Sequence, residues 1–426
     1  MPREAGIPFP RRALRGPGRH TPVPLPLRSC PQGIRVQHFH DSQPASDTIT
    51  WVRSPEQLHA LSESLAAAQW IAVDTESNSM FVYRERVCLI QLNIEGQLVL
   101  IDPFELPQGA DGLGPLARAL ANPDQTIYLH GGEYDVVCLQ RDYSLHIQAV
   151  FDTQQAASLL GWRKTGYGAV VEAVCEVKLP KGHSDYNWGK RPLDQDAISY
   201  AVDDVRYLPL VAQHLQAAIS EADLDDEMAI ANQAVEQVQA RQPGYDPADI
   251  WRLKGVSDVP NKHLGVLVAL HQWRDGAAQE LDRPPGRVIP NDLLVALARV
   301  APLNFGMLRR LRLRSHTLRD HGEHIIAQVQ SALSQPPAIP EPPARREPDP
   351  QERPREQALK AWRKQEAERR GVTTQVVLPA RALDYLKRRG AHDLEAVPQL
   401  GAKRIRLYGE QLRTLAPVPD SAHHGE

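Results

Sequence analysis

The sequence predicts an α/β domain with a mixed β-sheet flanked by helices, followed by two small all-α units. Three observations carry this reading. Between residues 50 and 223, β-branched runs alternate with helical spacing. Beyond residue 251 strand signals all but vanish. Between the two helical stretches, residues 331–355 are too rich in proline to be anything but an extended linker. Within the first region, "WIAVDTE" is a short apolar run with a β-branched centre, and "RVCLIQLNI" and "QLVLIDP" follow it. The intervening "EG" suits a hairpin turn, so these three runs predict an antiparallel meander. "LGPLARALA" predicts a helix, "TIYLHGG" a strand, "EYDVVCLQRDY" a helix and "QAVFDT" another strand. Helices then run from "TQQAASLLG" to "LVAQHLQAAISEAD", which sets helices on the faces of a mixed sheet.

The joints are drawn by proline and polarity. Residues 1–49 are rich in Pro and Arg and aperiodic, so a disordered basic arm is expected. That arm lacks the apolar centre of a secretory signal, and its prolines spoil an amphipathic presequence. The first folded unit spans 50–223, and residues 224–250 continue a helix that breaks at "QPGYDP". The helical units fall at 251–330 and 356–416, with a tail at 417–426. "HQWRDGAAQEL" and "KAWRKQEAERR" each carry a Trp-Arg pair, a Pro-started helix follows each, and a basic last helix closes both. An internal duplication explains the repeated plan.

Composition narrows the class. A chain of 426 residues with 42% hydrophobic content holds several cores. It has no apolar run of the ~18 residues that a membrane span needs, so no membrane partner is expected. The four cysteines have no C-x-x-C spacing, and Cys88, Cys138 and Cys175 sit in apolar runs; zinc is not indicated, and a reducing, cytoplasmic setting is. The net charge of −3 hides a segregation. Residues 50–223 hold 12 Lys or Arg against 23 Asp or Glu, a net of −11, whereas 251–330 hold 12 against 7 and 351–426 hold 15 against 10, each a net of +5. An acidic domain tied to basic ones suits a polyanion binder only if the acidic one gathers cations.

Individual acids sharpen that clue. Asp74 and Glu76 lie two apart in a strand, so both carboxylates leave one face near its end. Two such anions repel unless cations sit between them, which suits a hard divalent metal. Thr75 points to the other face and reads as packing. Glu133 and Asp135 open the helix after the glycine pair; Glu133 fits simple macrodipole stabilisation, while Asp135, next to "VVCL", is expected to face inward. In "ISYAVDDVRYL", a wheel at ~100° per residue puts Ala197, Ala201, Tyr207, Leu208 and Val211 within about 60° of Asp204. Tyr200 lies one turn before Asp204. Asp203 is expected to face solvent. Asp152 suits a helix N-cap, Asp102 a turn, and His130 a core or substrate-facing place.

These ordered motifs resemble the ribonuclease D and exosome branch of the DEDD 3′–5′ exonuclease superfamily: "VDTE" with "YRERVCLIQL", then "LHGGEYDVVCLQRDY", then "YAVDDVRYL". "FDTQQAA" and "NWGKRPL" fit the same pattern, and the helical units resemble HRDC domains, with "WRLKG" leading into the first. The resemblance implies a ribonuclease H-like exonuclease domain and a catalytic set of Asp74, Glu76, Asp135, Tyr200 and Asp204. Its four acids would hold two divalent ions, Mg²⁺ or Mn²⁺, and the tyrosine marks the DEDDy subgroup. It further implies release of 5′ nucleoside monophosphates from RNA with a free 3′ end, tRNA precursors among them, by a monomer. A DNA exonuclease acting on single strands and a catalytically idle RNA-binding scaffold are the competing readings. Asn187 stands where the family often has an acid, and Tyr134 is bulkier than usual for ribonuclease D. RNA contacts are expected at His130 and at two basic clusters, Arg309, Arg310, Arg312 and Arg314, and Lys403, Arg404 and Arg406.

Overall fold

The computed structural model describes residues 48–107, 110–180, 182–183, 185–240, 244–311, 313–343 and 349–417. The expected arm, apart from its last two residues, Arg312 and most of the tail lie outside the described residues. The strands are β1 (Ile49–Val52), β2 (Trp70–Ser77), β3 (Val87–Ile94), β4 (Gln97–Ile101), β5 (Thr126–Leu129) and β6 (Val150–Asp152). Among the described residues they form one sheet in the order β1–β4–β3–β2–β5–β6. β2, β3 and β4 are the antiparallel meander the sequence predicts. The turn between β3 and β4 has φ of 46° at Glu95 and 98° at Gly96, the left-handed pair that matches the twist of a two-residue hairpin. β5, β6 and β1 join in parallel. β1 is an unexpected element. Its four residues straddle the expected boundary at 49, and its sheet partner among the described residues, β4, is distant in sequence, so no local pattern announces it.

One face of the sheet packs against α1 (Pro55–Ala60), α2 (Ser62–Ala67), α3 (Gly114–Leu120) and α4 (Glu133–Tyr143), around Ile71, Val73, Ile90 and Leu92. The other packs against α5 (Thr153–Leu159), α6 (Tyr167–Cys175), α7 (Gln195–Arg206) and α8 (Leu208–Glu221), around Ala72, Leu89, Leu98 and Leu100. α7 stops at Tyr207 because Pro209, in the first turn of α8, has no N–H to continue the ladder. α9 (Asp225–Glu236) reads in the sequence as a connector, but it finishes the edge of the sheet. Its Asn232 Oδ1 accepts from the Asp152 N–H at 3.1 Å, and Glu236 Oε1 accepts from the Val150 N–H at 2.9 Å. An edge strand otherwise leaves those donors open.

The first helical unit comprises α10 (Leu264–Glu280), α11 (Pro285–Val288), α12 (Asn291–Val300), α13 (Phe305–Arg309) and α14 (Ser315–Ser334). The second comprises α15 (Glu352–Arg370), α16 (Thr374–Val377), α17 (Ala380–Arg389) and α18 (Gly401–Leu415). The Trp-Arg pairs occupy matching places. Arg274 donates to the Ile289 carbonyl and Asn291 Oδ1, and Arg363 donates to the Thr374 carbonyl, so each ties its long helix to the short one that follows. The proline segment lies on the first unit rather than hanging free: Pro336 covers Gly265, and Trp251 Nε1 donates to the Pro340 carbonyl at 3.2 Å. Each unit also touches the sheet domain. Tyr83, in the loop after β2, donates from its hydroxyl to Asp275 at 2.8 Å and from its N–H to Asp282 at 3.0 Å. Val376 of α16 is buried in the core under α5–α8. Among the described residues no helix is long and apolar enough to cross a membrane.

Candidate active site

The strand β2 pairs regularly with β3 until the register slips between Glu76 and Ser77. Asp74 and Glu76 therefore leave the sheet on the α5–α8 side just where it ends. α7 lies across that side and brings Asp204. One carboxylate oxygen each from Asp74, Glu76 and Asp204 lie within 4.8 Å of one another. Asp135 arrives from the other face, in the first turn of α4, and is 8% exposed. Thr75 holds it: Asp135 Oδ1 accepts from the Thr75 N–H at 3.1 Å and from its hydroxyl at 2.5 Å. Thr75 does point away from Asp74, as expected, but it orients a fourth carboxylate instead of merely packing.

The turn that presents Asp135 is equally fixed. Gly131 takes φ of +67°, and a Cβ on Gly132 would lie 2.5 Å from the Leu129 side chain, so neither position accepts a larger residue. The N–H groups of both glycines donate to the Asp152 carboxylate, at 3.1 and 2.9 Å. Asp152 also caps α5 through the Gln154 and Gln155 N–H groups. One buried acid thus ties the two parallel strand ends together.

Electrostatics follow from this crowding. Burial, then the neighbouring carboxylates Asp135, Asp204 and Glu76, push Asp74 well above the usual carboxylate range. Burial and the same kind of repulsion raise Glu76 to about 9 and Asp204 to about 7. Burial also raises Asp135, to about 6, against the opposing pull of the Thr75 hydrogen bonds. Tyr200 is pushed up by burial and by Asp204, Glu76 and Asp74, so it stays protonated. Its ring is held among His183 and Trp188, with centroids 5.3 and 6.2 Å away. A pocket of about 320 Å³ opens beside Asp204, lined by Tyr167, Gly168, Leu179, Pro180, Gly182, Tyr200 and Asp203. A set of partly buried oxygen donors, short of positive charge among the described residues, fits hard divalent cations.

A family profile described as a 3′-5′ exonuclease matches residues 49–220, and an HRDC domain profile matches 263–329 and 352–415. A ribonuclease D from Cronobacter turicensis is 30% identical over 283 residues, 66% of this chain and 75% of that protein. The chain belongs to the ribonuclease D family of 3′–5′ exoribonucleases. An exosome complex component 10 homolog from Caenorhabditis elegans is 29% identical over 261 residues, 61% of this chain but only 30% of that longer protein. The crystal structure of Escherichia coli RNase D, an exoribonuclease involved in structured RNA processing, superposes with a TM-score of 0.65 at 26% identity, covering 86% of this chain and 98% of that one.

Several other expectations change in this ribonuclease D frame. Asp203 is half-buried instead of solvent-facing: it pairs with Arg206 at 3.4 Å, and its backbone carbonyl accepts from the Tyr167 hydroxyl at 2.9 Å. The helix is covered by α6 on that side too, which a wheel of α7 alone cannot register. His130 turns both ring nitrogens inward. The Thr153 hydroxyl donates to the Leu129 carbonyl, so it accepts from His130 Nδ1–H at 2.8 Å, and Nε2 is closed off from solvent. Burial pushes the ring down to about 4. His130 is thus a neutral packing residue behind Tyr167, and neither ring nitrogen is open to RNA.

The second basic cluster is corrected as well. Lys403 reaches the Asp223 and Glu227 carboxylates, at 3.1 and 3.2 Å, and also donates to the Asp223 carbonyl. Arg404, 2% exposed, donates to the carbonyls of Val376, Gln399, Leu400 and Gln375. Only Arg406 of that cluster is exposed. Arg309, Arg310 and Arg314 are exposed as expected, and Arg312 lies outside the described residues. Asp102 caps its turn but has a partner that sequence reasoning missed. Arg191 of the "NWGKRPL" stretch grips it with two nitrogens, at 2.6 and 2.8 Å, and also donates to the Trp188 and Cys88 carbonyls. That fork anchors the segment whose Trp188 packs on Tyr200.

Proposed function

We propose that the chain is a two-metal-ion 3′–5′ exoribonuclease that removes nucleotides one at a time from RNA with a free 3′ end, releasing 5′ nucleoside monophosphates. The observation that carries this reading is the carboxylate set of Asp74, Glu76 and Asp204 within 4.8 Å, in a 3′-5′ exonuclease domain. Asp74, Glu76, Asp135 and Asp204 would hold the ions, Mg²⁺ or Mn²⁺, whose combined charge offsets four carboxylates. When bound, such ions supply Lewis acidity to an in-line displacement at the last phosphodiester. The chain's own groups orient the reactants. Tyr200 stays protonated because burial and the surrounding acids raise it, so its hydroxyl donates to or positions the attacking water and does not remove a proton. The water oxygen goes to phosphorus and a proton ends on the departing 3′ oxygen. The pocket beside Asp204 has room for the terminal nucleoside.

Structured RNA is the favoured substrate class, by likeness to the Escherichia coli enzyme, and tRNA precursors are the case that the sequence resemblance implies. We place the protein in the cytoplasm as a monomer; the three cysteines among the described residues are free, two of them buried, which suits a reducing compartment. The test is a structured RNA with a single-stranded 3′ tail, labelled at its 5′ end, beside a DNA of matched sequence. With Mg²⁺ or Mn²⁺ the RNA should shorten in single-nucleotide steps, and EDTA should stop it. Asp74→Ala and Asp204→Asn should each cost at least ~10³-fold in kcat while RNA is still bound, whereas Asp203→Asn should be mild. Internal cuts, cleavage in EDTA or preference for the DNA would sink the proposal.

A further inference from the structure

β3 buries a polar side chain for which the reaction above has no use. Gln91 is fully buried in mid-strand, and neither its Nε2 nor its Oε1 has a hydrogen-bond partner among the described residues. Its partner across the antiparallel ladder is Asp74. Residues opposed in this way project from the same face, with Cβ atoms about 4.5–5.5 Å apart. The neighbours identify that face. Leu89, two residues before, belongs to the core under α5–α8, and Asn93, two residues after, donates from Nδ2 to the Val205 carbonyl of α7 at 3.1 Å. Gln91 therefore projects into the seam between the sheet and α7, the same seam that gathers Asp74 and Asp204. The residues beside it in the strand are Ile90 and Leu92, and a leucine or methionine would fill the same volume. A sealed amide is tolerated in such a place only where a polar partner comes within its reach.

We propose that Gln91 is a positioning residue of the metal centre: its amide donates to the Asp74 carboxylate and holds that side chain in one orientation when divalent cations seat. The idea rests on the two-metal reading of the site. Gln91 would act on the reaction only through Asp74, in the way that outer partners of metal ligands set ligand orientation elsewhere.

The experiment is calorimetric titration of Mn²⁺ into RNA-free protein, together with the melting temperature of the metal-free form. Gln91→Met should weaken Mn²⁺ binding by about tenfold, and the metal-free melting temperature should hold or rise, because an unpaired amide has gone. If Mn²⁺ affinity is unchanged, Gln91 is not part of the centre; a lowered melting temperature beside it would make the amide a prop of the sheet. Gln91→Leu serves as a second variant, and failure of both to fold would likewise assign the amide to the sheet and overturn the inference. Wild-type protein that binds no Mn²⁺ would instead bring down the metal-centre reading itself, and this inference with it.

Discussion

Two of the places where this molecule takes charge out of solvent do so on opposite terms. At the end of β2, Asp74, Glu76, Asp135 and Asp204 crowd together, and burial with mutual repulsion pushes their carboxyls upward. Where α18 meets α9, burial alone would push the Lys403 ammonium down, yet its bonds to Asp223 and Glu227 hold it above the ordinary lysine range. The second cluster is balanced by the chain itself and fastens one domain to another. The first meets no cation among the described residues, so its balance must come from elsewhere. Buried charge that completes its own pairing is structure; buried charge that does not is a demand for a ligand.

The largest effect should come from breaking the balanced cluster. Lys403→Ala leaves Glu227, 2% exposed, without its cation. Removing one partner of a buried pair is strongly destabilising, and about 3 kcal/mol should be lost in urea unfolding. RNA affinity should stay within about twofold, since Lys403 is turned into the interface. The reverse pattern, intact stability with weakened RNA binding, would make this lysine the phosphate contact that its sequence suggests.

The unbalanced cluster should respond to cations and pH. A divalent ion at about 100 times its dissociation constant adds about 2.7 kcal/mol of stability per site. The sign with pH follows from proton counts. Between ~4, where these acids titrate in an unfolded chain, and their folded values near 6 for Asp135, 7 for Asp204 and 9 for Glu76, the metal-free fold holds protons that the unfolded chain has released. Metal-free stability from this cluster is therefore full at low pH and declines as pH rises through that window. Melting curves at pH 5 and pH 8, with EDTA and with Mn²⁺, should show a small Mn²⁺ gain at the lower pH and a large one at the higher. An equal gain at both would mean that the acids are already ionised without metal. Thr75→Val is a finer probe of the same cluster. It removes the 2.5 Å hydroxyl bond to Asp135, and about 1.5 kcal/mol should go with it, with weaker Mn²⁺ binding.

Much of this was legible in the sequence, and the parts that were not share a cause. The meander, the helix over Glu133–Tyr143 and the inward placing of Asp135 all follow from local periodicity. β1 does not, since its partner lies far along the chain. Lys403 and Arg404 escape it for the same reason: a run such as "AKRIRL" has helical phase, but that Lys403 meets α9 and Arg404 the carbonyls around α16 is a tertiary fact. Thr75 and Arg191 each pair with an acid from a distant element, Asp135 and Asp102. Gln91 did carry a signal, an amide inside the apolar run "CLIQLNI", which periodicity alone treats as noise.

The smallest effects should come from charge that is not buried. Arg309 and Arg310 close α13 on an exposed surface, and Arg406 is exposed on α18. The stretches 251–330 and 351–426 carry equal net charge but place it differently: the second turns Lys403 and Arg404 inward, and the first leaves Arg309, Arg310 and Arg314 in solvent. If those arginines meet phosphates, Arg309→Ala with Arg310→Ala should weaken RNA binding by about 1 kcal/mol and lower the salt slope by about 1.4, the value for two contacts on a single strand. Arg406→Ala should change affinity by less than about 0.5 kcal/mol, because a lone exposed charge gains little. Stability should not move in either variant. Equal losses of RNA binding in both would mean that the second unit keeps a phosphate-facing surface around Arg406, beyond the helix face it buries, and that the units divide the RNA between them.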